Sequence, residues 1–249
     1  MSGRAVLVTG ASRGIGRATA QAFAAGGDRV AVNYRDSEAL AEEVVRSLPG
    51  SGHVALRADV AVPDQARGLV ESSVKALGSI DVLVNNAGIS VPHDITEGNF
   101  QAWHEAWERT LAVNLNGTAY VTYWTVQQML GRGGRIINIS SRGAFRGEPD
   151  QPGYAASKAG MNAFGQSLAR ALAPHGIGVM TIAPGWVATD MSNEELKRPR
   201  GQEILTQSPF GRVARPEEVA AAAVFFASPD AEFTSGAVLD VNGASYLRT

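Results

Sequence analysis

A short apolar run that ends in a glycine-rich turn is the feature that most constrains how this chain can fold. Residues 5–9 suit a strand buried on both faces, and the turn from Gly10 to Gly16 leads directly into a helical pattern through Gly26. Further apolar runs alternate with helical patterns along the chain. This alternation predicts an α/β fold in which a doubly wound parallel sheet of about seven strands carries helices on both faces.

The three glycines of this turn suit a phosphate site. Gly10 permits the tight turn, Gly14 lets the backbone approach a pyrophosphate, and Gly16 lets the helix sit close to the strand. The helix N-terminus then faces the anion. A glycine loop can also be an ordinary structural turn. Its position between a strand and a helix favours dinucleotide binding instead.

A second informative stretch covers residues 135–160. An apolar β-branched run ends in Ser140 and Ser141, a loop rich in glycine and proline follows, and Tyr154 and Lys158 then open a helix. Because helical residues four apart share one face, we expect the phenol and the ammonium to project into the same space. Such a pair also occurs by chance as a surface contact, so its meaning depends on Ser141 and on the glycine turn.

The ammonium of Lys158 is expected to lower the pKa of Tyr154. At ~4.5 Å and an effective dielectric constant of ~20, it would favour the phenolate by about 3 to 4 kcal/mol. That interaction would bring the phenol from a pKa of about 10 to one of about 7. A phenol with such a pKa can both donate and accept a proton near neutral pH.

Together these motifs resemble the short-chain dehydrogenase/reductase family over residues 4–243. The family places a serine thirteen residues before a Tyr-x-x-x-Lys motif, and Ser141 rather than Ser140 has that spacing from Tyr154. The glycine turn has the family spacing Gly-x-x-x-Gly-x-Gly. The pattern is most similar to the 3-oxoacyl-thioester (acyl-carrier-protein) reductase branch. The resemblance implies a single Rossmann-type domain over residues 1–249.

The resemblance also implies an enzyme that interconverts a carbonyl and a secondary alcohol by hydride transfer with NADP(H). Tyr154 would exchange the proton, Lys158 would lower its pKa and bind the nicotinamide ribose, and Ser141 would hydrogen-bond the carbonyl oxygen. Asn114 stands in the context Val-Asn-Leu-x-Gly. It matches the family asparagine that holds a water linking the lysine to solvent.

The remaining cofactor contacts implied by the resemblance lie at the ends of predicted strands. Asp59 and Val60 would lie beside the adenine, and residues 86–88 would border the cofactor. The Val187 backbone and the Thr189 hydroxyl would hold the nicotinamide carboxamide. The predicted cofactor-binding residues are Gly10, Ser12, Arg13, Gly14, Ile15, Gly16, Tyr34, Arg35, Asp59, Val60, Asn86, Ala87, Gly88, Tyr154, Lys158, Pro184, Gly185, Val187 and Thr189.

The end of the second predicted strand, residues 29–34, bears on the choice between NADP(H) and NAD(H). An acidic residue there would bind the adenosine ribose of NAD and repel the 2′-phosphate of NADP. The strand ends at Tyr34 and is followed by Arg35, so Arg13 and Arg35 could form a fork around a phosphate. We therefore predict NADP(H), with NAD(H) as the alternative if a longer strand makes Asp36 the ribose ligand. Asp36 is interpreted as a candidate helix N-cap beside Ser37.

A polar stretch near the C-terminus is expected to cover the substrate. Residues 190–212 contain Pro199, Gly201 and Pro209, which interrupt any long helix. A loop of this length in a compact domain predicts a substrate lid. After it, Pro216 starts the last helix and residues 238–241 supply the closing strand.

Composition narrows the partners and the location. A net charge of −2 and the absence of cysteine argue against nucleic acid, anionic membranes, disulfides and thiol catalysis. The four histidines lack the spacing of a zinc site, and no secretory signal or membrane helix is indicated, so a cytoplasmic protein without a metal is expected. Small residues on the helix that begins at Tyr154 predict a homo-oligomer, a dimer or a tetramer. An acyl carrier protein would need a basic surface, for which Arg132 is a weak indication.

Substrate identity stays open at the level of sequence. Sugar, polyol, steroid and aromatic-ketone dehydrogenases of the same family share these motifs, and the residues expected near the pocket are Arg142, Phe145, Arg146 and Trp186. A non-catalytic dinucleotide sensor on the same fold is the alternative from another class, although such proteins usually lose the tyrosine or the lysine. Epimerases need a longer C-terminal domain, and enoyl reductases of the group space tyrosine and lysine differently.

Overall fold

Seven parallel strands form one sheet in the structure, a computed structural model that describes residues 3–96, 98–197 and 201–248. Their spatial order is β3-β2-β1-β4-β5-β6-β7. The strands are β1 (Ala5–Val8), β2 (Arg29–Tyr34), β3 (Val54–Arg57), β4 (Val82–Asn85), β5 (Gly134–Ile139), β6 (Ile177–Pro184) and β7 (Val238–Val241). The predicted doubly wound parallel sheet is confirmed.

Ten α-helices among the described residues connect and cover these strands. They are α1 (Gly14–Ala25), α2 (Glu38–Ser47), α3 (Pro63–Leu77), α4 (Phe100–Leu111), α5 (Thr118–Met129), α6 (Gly143–Arg146), α7 (Pro152–Leu172), α8 (Asp190–Lys197), α9 (Gly201–Thr206) and α10 (Pro216–Phe226). A π-helical turn, Ala112–Gly117, joins α4 to α5. Within the described segments, no helix combines the length and the apolarity needed to cross a membrane.

The sheet is buried on both faces because alternate residues of each central strand enter different cores. In β1, Val6 and Val8 pack with Phe23 on one face, whereas Leu7 packs with Leu83 on the other. This two-sided burial is the physical reason why the strand segments are continuously apolar in sequence. The two cores place helices on both sides of the sheet.

The direction in which the chain winds reverses between β1 and β4, which are neighbours in the centre of the sheet. In open sheets of this kind, a crevice forms outside the carboxyl ends of the strands at such a point. Gly10 follows β1 and Asn86 follows β4. The glycine turn and the Asn-Asn-Ala-Gly segment therefore meet at the mouth of this crevice.

The predicted lid contains more regular structure than its proline and glycine content indicates. Helices α8 and α9 lie within residues 190–212, and Gly201 begins α9. Pro209 follows that helix, in agreement with its role as a helix breaker. Pro199 lies outside the described residues. The role of this segment as a lid stays a prediction.

Candidate active site

The two serines after β5 point in different directions. Ser140 is buried, and its hydroxyl donates to the carbonyl oxygen of Lys158 at 3.2 Å, which ties the strand end to α7. The Ser141 oxygen accepts the Gly143 N–H at 3.0 Å, and the same side chain lowers the pKa of the Tyr154 phenol. The structure thus brings Ser141 and Tyr154 together and gives Ser140 a place in the scaffold.

Lys158 lies one helical turn beyond Tyr154 and is almost completely buried. Its side chain is 3% exposed, and Nζ donates to the carbonyl oxygen of Ile139 at 2.7 Å. The same nitrogen lies 5.8 Å from the centroid of the Tyr154 ring. Burial lowers the pKa of Lys158 to about 8 because the charged form loses its hydration.

The prediction that the pKa of Tyr154 falls to about 7 is wrong for this arrangement. Burial raises the pKa of the phenol, the negative charge of Glu148 raises it further, and hydrogen bonding to Ser141 opposes both. The ammonium of Lys158 is directed to the Ile139 carbonyl, so it does not offset the loss of hydration. The phenol is consequently protonated at neutral pH and available as a proton donor.

Asn114 lies in the π-helical turn and holds two neighbouring segments. Its Oδ1 accepts the Ile89 N–H at 2.8 Å, and its Nδ2 donates to the Ile89 carbonyl at 2.9 Å and to the Ser157 hydroxyl at 3.1 Å. A Cβ atom at Gly88 would lie 3.4 Å from Asn114 Oδ1 and 3.5 Å from Lys158 Nζ. Asn114 and Lys158 therefore border the same point of the crevice. Single-turn π-bulges of this kind are frequent at functional sites.

The glycine turn has the geometry that an anion site requires. Gly10 and Gly14 have φ angles of +61° and +55°, which side chains disfavour. At Gly16 a Cβ atom would lie 2.6 Å from the Gly10 carbonyl oxygen, so only glycine permits this approach. The N-cap of α1, Arg13, makes no capping hydrogen bond through its side chain. The N-terminus of α1 can therefore receive the pyrophosphate of a dinucleotide, and the residues present fit such a cofactor.

Asn86 joins the glycine turn to the end of β4. Its Nδ2 donates to the carbonyl oxygens of Thr9 and Gly10 at 2.9 and 3.0 Å. The backbone N–H groups of Asn86 and Ala87 donate to the Thr9 hydroxyl. On the opposite side, a Cβ atom at Gly14 would lie 3.2 Å from Cγ2 of Thr189, which places the predicted nicotinamide segment beside the turn.

A polar cavity of about 410 Å³ lies beyond the end of β2. Its lining residues carry charged or amide side chains, and they are Arg35, Asp36, Arg57, Asp59, Gln65 and Arg109. Arg35 Nε is 2.6 Å from Asp36 Oδ2, so Asp36 pairs with Arg35, and the N-cap of α2 is Ser37. The interpretation of Asp36 as an N-cap is wrong. Arg13 is exposed and does not line this cavity.

Arg57 and Arg109 were not predicted from the sequence. Arg57 donates from Nε to the Arg35 carbonyl at 3.1 Å. It lies two residues before Asp59, and because side chains two apart on a strand share one face, this spacing could have indicated Arg57. Arg109 comes from α4, and no local pattern connects it with β2. Tyr34 is buried, and its hydroxyl donates to Glu38 at 3.1 Å. A role for Tyr34 in nucleotide binding stays a prediction.

A second cavity, of about 370 Å³, opens beside the residue that follows Ser141. It is lined from the predicted lid by Ile204, Gln207, Ser208 and Phe210, and from the body by residues that include Trp186 and Arg142. Arg142 is 3% exposed and donates to the hydroxyl of Ser245 and to the side-chain oxygen of Gln207. Burial, together with the charge of Arg146, lowers its pKa to about 10.

The other two residues expected near the pocket have partners elsewhere. The Phe145 ring lies under the Arg248 guanidinium at 4.3 Å, and Arg146 pairs with Glu148 at 3.7 Å. Arg142 and Trp186 therefore line the cavity, whereas Phe145 and Arg146 are not among its lining residues.

Comparison with known proteins identifies the family. A family model described as enoyl-(acyl carrier protein) reductase matches residues 10–244. The chain is 37% identical to an L-rhamnose 1-dehydrogenase (NAD(P)(+)) of Sphingomonas sp. over 99% of this chain and 98% of the relative. It is 38% identical to the 3-oxoacyl-[acyl-carrier-protein] reductase FabG of Staphylococcus aureus over 98% of each chain.

Solved structures agree with this assignment. A short chain dehydrogenase from Burkholderia cenocepacia J2315 in complex with NADP superimposes with a TM-score of 0.89 and 32% identity over 98% of each chain. A dehydrogenase/reductase from Sinorhizobium meliloti 1021 gives a TM-score of 0.91 and 31% identity, over 99% of this chain and 96% of that chain. This protein belongs to the short-chain dehydrogenase/reductase family of oxidoreductases.

Proposed function

We propose that this protein uses NADP(H) to interconvert a carbonyl group and a secondary alcohol by hydride transfer. The observation that supports this most directly is the placement of Ser141 beside the Tyr154 phenol, with the buried Lys158 nitrogen 5.8 Å from the centroid of the same ring. All three groups lie at the carboxyl edge of the sheet, where the glycine turn offers an anion site. A bound nicotinamide dinucleotide supplies the hydride.

Tyr154 and Ser141 act on the substrate oxygen. During reduction, negative charge develops on the carbonyl oxygen, and Ser141 donates a hydrogen bond to it. Tyr154, protonated at neutral pH, gives its proton to the same oxygen. In oxidation the phenolate must accept the proton of the alcohol. Because the pKa of Tyr154 is raised, the phenolate forms only at higher pH, and oxidation is favoured there.

Lys158 and Asn114 support this proton transfer. The buried ammonium lies 5.8 Å from the ring centroid, and we assign to it the hydroxyls of the nicotinamide ribose. Asn114 fixes Ile89 and Ser157, and the Ser157 hydroxyl in turn donates to the Tyr154 carbonyl at 2.7 Å. We assign to Asn114 both this positioning and the proton path from Lys158 to solvent.

The cavity beyond β2 supports a preference for NADP(H) over NAD(H). It contains three arginines and two carboxylates, and one of those carboxylates, Asp36, is already paired with Arg35. The surplus positive charge suits the 2′-phosphate of NADP, and planar guanidinium groups bind phosphate oxygens well. Arg35 and Arg57 are the residues that we assign to this phosphate.

For the substrate we propose 3-oxoacyl thioesters. The cavity beside Arg142, the residue after Ser141, has the apolar side chains Trp186, Ile204 and Phe210 and offers room for an acyl chain under the predicted lid. Oxidation of a sugar is the second candidate, because the chain is as similar to L-rhamnose 1-dehydrogenases as to the thioester reductases. An acyl carrier protein as the thioester carrier has only weak support from Arg132, which pairs with Asp81.

We also propose a cytoplasmic homo-oligomer, a dimer or a tetramer. Ala156, Ala159 and Ala163 are exposed on α7, where small side chains let a second helix approach closely. The measurement is the molar mass in solution, and a monomer at micromolar concentration would contradict this.

The test of the proposed function is a screen of NADPH oxidation with acetoacetyl thioesters, diketones, quinones and sugars, run in parallel with NADH and, for sugars, in the oxidising direction. Turnover of an acetoacetyl thioester with NADPH is the expected result. Turnover of sugars alone would favour the second candidate. Binding of NADPH without turnover of any compound would indicate a dinucleotide sensor and contradict the proposal.

A further inference from the structure

The helix that carries Tyr154 and Lys158 has no side-chain cap from its own sequence. Gln151, the N-cap of α7, makes no capping hydrogen bond, and Pro152 at the first position has no N–H. The next N–H, that of Gly153, is one of the groups that an isolated helix leaves without an acceptor. His93, sixty residues earlier, accepts it on Nε2 at 2.9 Å.

The partners of His93 fix its protonation state. A backbone N–H can only donate, so Nε2 must be the unprotonated nitrogen. Nδ1 lies 2.6 Å from the Val91 carbonyl oxygen, which can only accept, so Nδ1 carries the hydrogen. His93 is thus a neutral imidazole in a single tautomer, inferred from its hydrogen bonds. Its acceptor is directed at the first turn of α7.

Packing keeps the imidazole in this place. His93 is 6% exposed, and its ring contacts Trp103 and Trp107 of α4 edge to face, with centroids 6.2 and 6.4 Å away. Its backbone N–H donates to the Asp150 carbonyl at 2.8 Å. A Cβ atom at Gly153 would lie only 2.8 Å from Nε2. The ring and the helix start are therefore in direct contact, with no room for a side chain between them.

The segment before His93 is anchored on the other side of the crevice. Ile89 forms two hydrogen bonds with the Asn114 side chain, and Ser90 is hydrogen-bonded to Gln151. Residues 89–93 thus run from Asn114 to the start of α7. They connect the π-helical turn with the helix that bears the phenol.

We propose that His93 is a positioning residue for Tyr154, acting as an N-cap supplied to α7 from a distant loop. The proposal rests on the function proposed for Tyr154, the residue directly after Gly153. Without the cap, the first turn of α7 frays and the phenol leaves the position set by Ser141. A displacement of about 1 Å can lower a rate by about 10²-fold. Cofactor affinity is expected to be kept, because the glycine turn lies at a different strand end.

The experiment compares His93→Leu, which removes the acceptor, with His93→Gln, whose side-chain oxygen can still accept the Gly153 N–H. His104→Leu is the matched control, because His104 is an exposed histidine on α4 that stacks on Phe100. Three quantities are measured for each variant. They are kcat and KM for the best carbonyl substrate, the Kd of NADPH, and the hydrogen exchange rate of the Gly153 amide by NMR.

For His93→Leu, we expect kcat to fall by about tenfold or more and the Gly153 amide to exchange about tenfold faster. We expect the Kd of NADPH to stay within about twofold of the wild-type value. A tenfold change in Kd would correspond to about 1.4 kcal/mol of binding free energy, so this effect is small. His93→Gln restores most of kcat and of the protection, and His104→Leu resembles the wild type. Unchanged kcat and exchange in His93→Leu would overturn the proposal. So would equal losses in His93→Leu and His93→Gln, which would indicate packing alone.

Failure of the proposed function is distinguishable from failure of this inference. If wild-type protein reduces no carbonyl compound, the function proposed for Tyr154 fails. The exchange rate of the Gly153 amide needs no substrate, so it still shows whether His93 caps α7. Slow exchange in the wild type and in His93→Gln, with fast exchange in His93→Leu, supports the capping contact in either case.

Discussion

The Lys158 ammonium donates a 2.7 Å hydrogen bond to the carbonyl oxygen of Ile139, the last residue of β5. This contact attaches α7 to the strand that precedes Ser141. It also engages the ammonium, while burial raises the pKa of the Tyr154 phenol and keeps the phenol protonated at neutral pH. The phenol therefore starts a reduction as a proton donor.

The buried lysine should make stability depend on pH. The pKa of Lys158 falls from 10.5 to about 8 on folding, so between these values the unfolded chain binds more protons than the folded one. Stability from this group therefore rises with pH across that window, by up to about 3 kcal/mol. The raised pKa of Tyr154 affects the free energy of unfolding only above pH 10, where the phenol of the unfolded chain loses its proton.

Urea denaturation of the wild type and of Lys158→Met at several pH values between 7.5 and 10 measures this effect. The free energy of unfolding of the wild type should increase relative to that of the variant as the pH rises. A difference between the two proteins that stays constant over this range would refute the burial of a charged ammonium.

Arg35→Ala should change cofactor preference. Loss of one charge-assisted hydrogen bond to the 2′-phosphate should raise the KM for NADPH by about tenfold or more. The KM for NADH should change little, because Asp36 is released from its ion pair and can bind the ribose hydroxyls. Steady-state kinetics with both cofactors is the measurement. Arg46→Ala, an exposed arginine on α2 outside the cavity, is the control, and an equal rise for both cofactors would disprove the assignment.

Gly16→Ala should disturb the crevice, whereas Gly68→Ala should not. A Cβ atom at Gly16 would lie 2.5 Å from Asn86 Nδ2 and 2.6 Å from the Gly10 carbonyl, so the backbone must shift. We expect a loss of about 1–3 kcal/mol of stability and weaker NADPH binding. At Gly68, within α3, nothing lies within 4 Å, and alanine should stabilise by about 0.5–1 kcal/mol. Equal unfolding free energies for the two variants would show that the predicted close approach does not exist.

Arg142→Met should loosen the predicted lid. Arg142 hydrogen-bonds Gln207 near α9 and Ser245 near the C-terminus, so its removal leaves both segments without that connection. Limited trypsin digestion should cleave within residues 201–212 about tenfold faster, as expected for the loss of a hydrogen bond to a charged group. Arg146→Met serves as the control, because Arg146 pairs with Glu148 instead. Identical cleavage rates in the two variants and the wild type would argue against this connection.

Local patterns in the sequence predicted the scaffold and the grouping of the central residues. The strand runs are recognisable because both sheet faces are buried, and Ser141, Tyr154 and Lys158 are related by spacing within one stretch. The pKa of Tyr154 could not be predicted in this way. It depends on how deeply the phenol is buried and on which atom the ammonium contacts, and neither follows from spacing.

Contacts between segments that are distant in sequence could not be predicted from local patterns either. The cap that His93 gives to α7 and the position of Arg109 beside Arg35 both require the folded arrangement of α4 against its neighbours. The helices within residues 190–212 were missed for a different reason, because proline and glycine mark interruptions but do not show how short the helices between them are.

The most direct test of the central claim is the effect of Tyr154→Phe on kcat for NADPH-dependent carbonyl reduction, measured together with the Kd of NADPH. Phenylalanine keeps the ring and removes only the hydroxyl that gives the proton. We expect kcat to fall by at least about 10²-fold while the Kd of NADPH is unchanged within about twofold. A variant that binds NADPH and turns over at close to the wild-type rate would contradict the account.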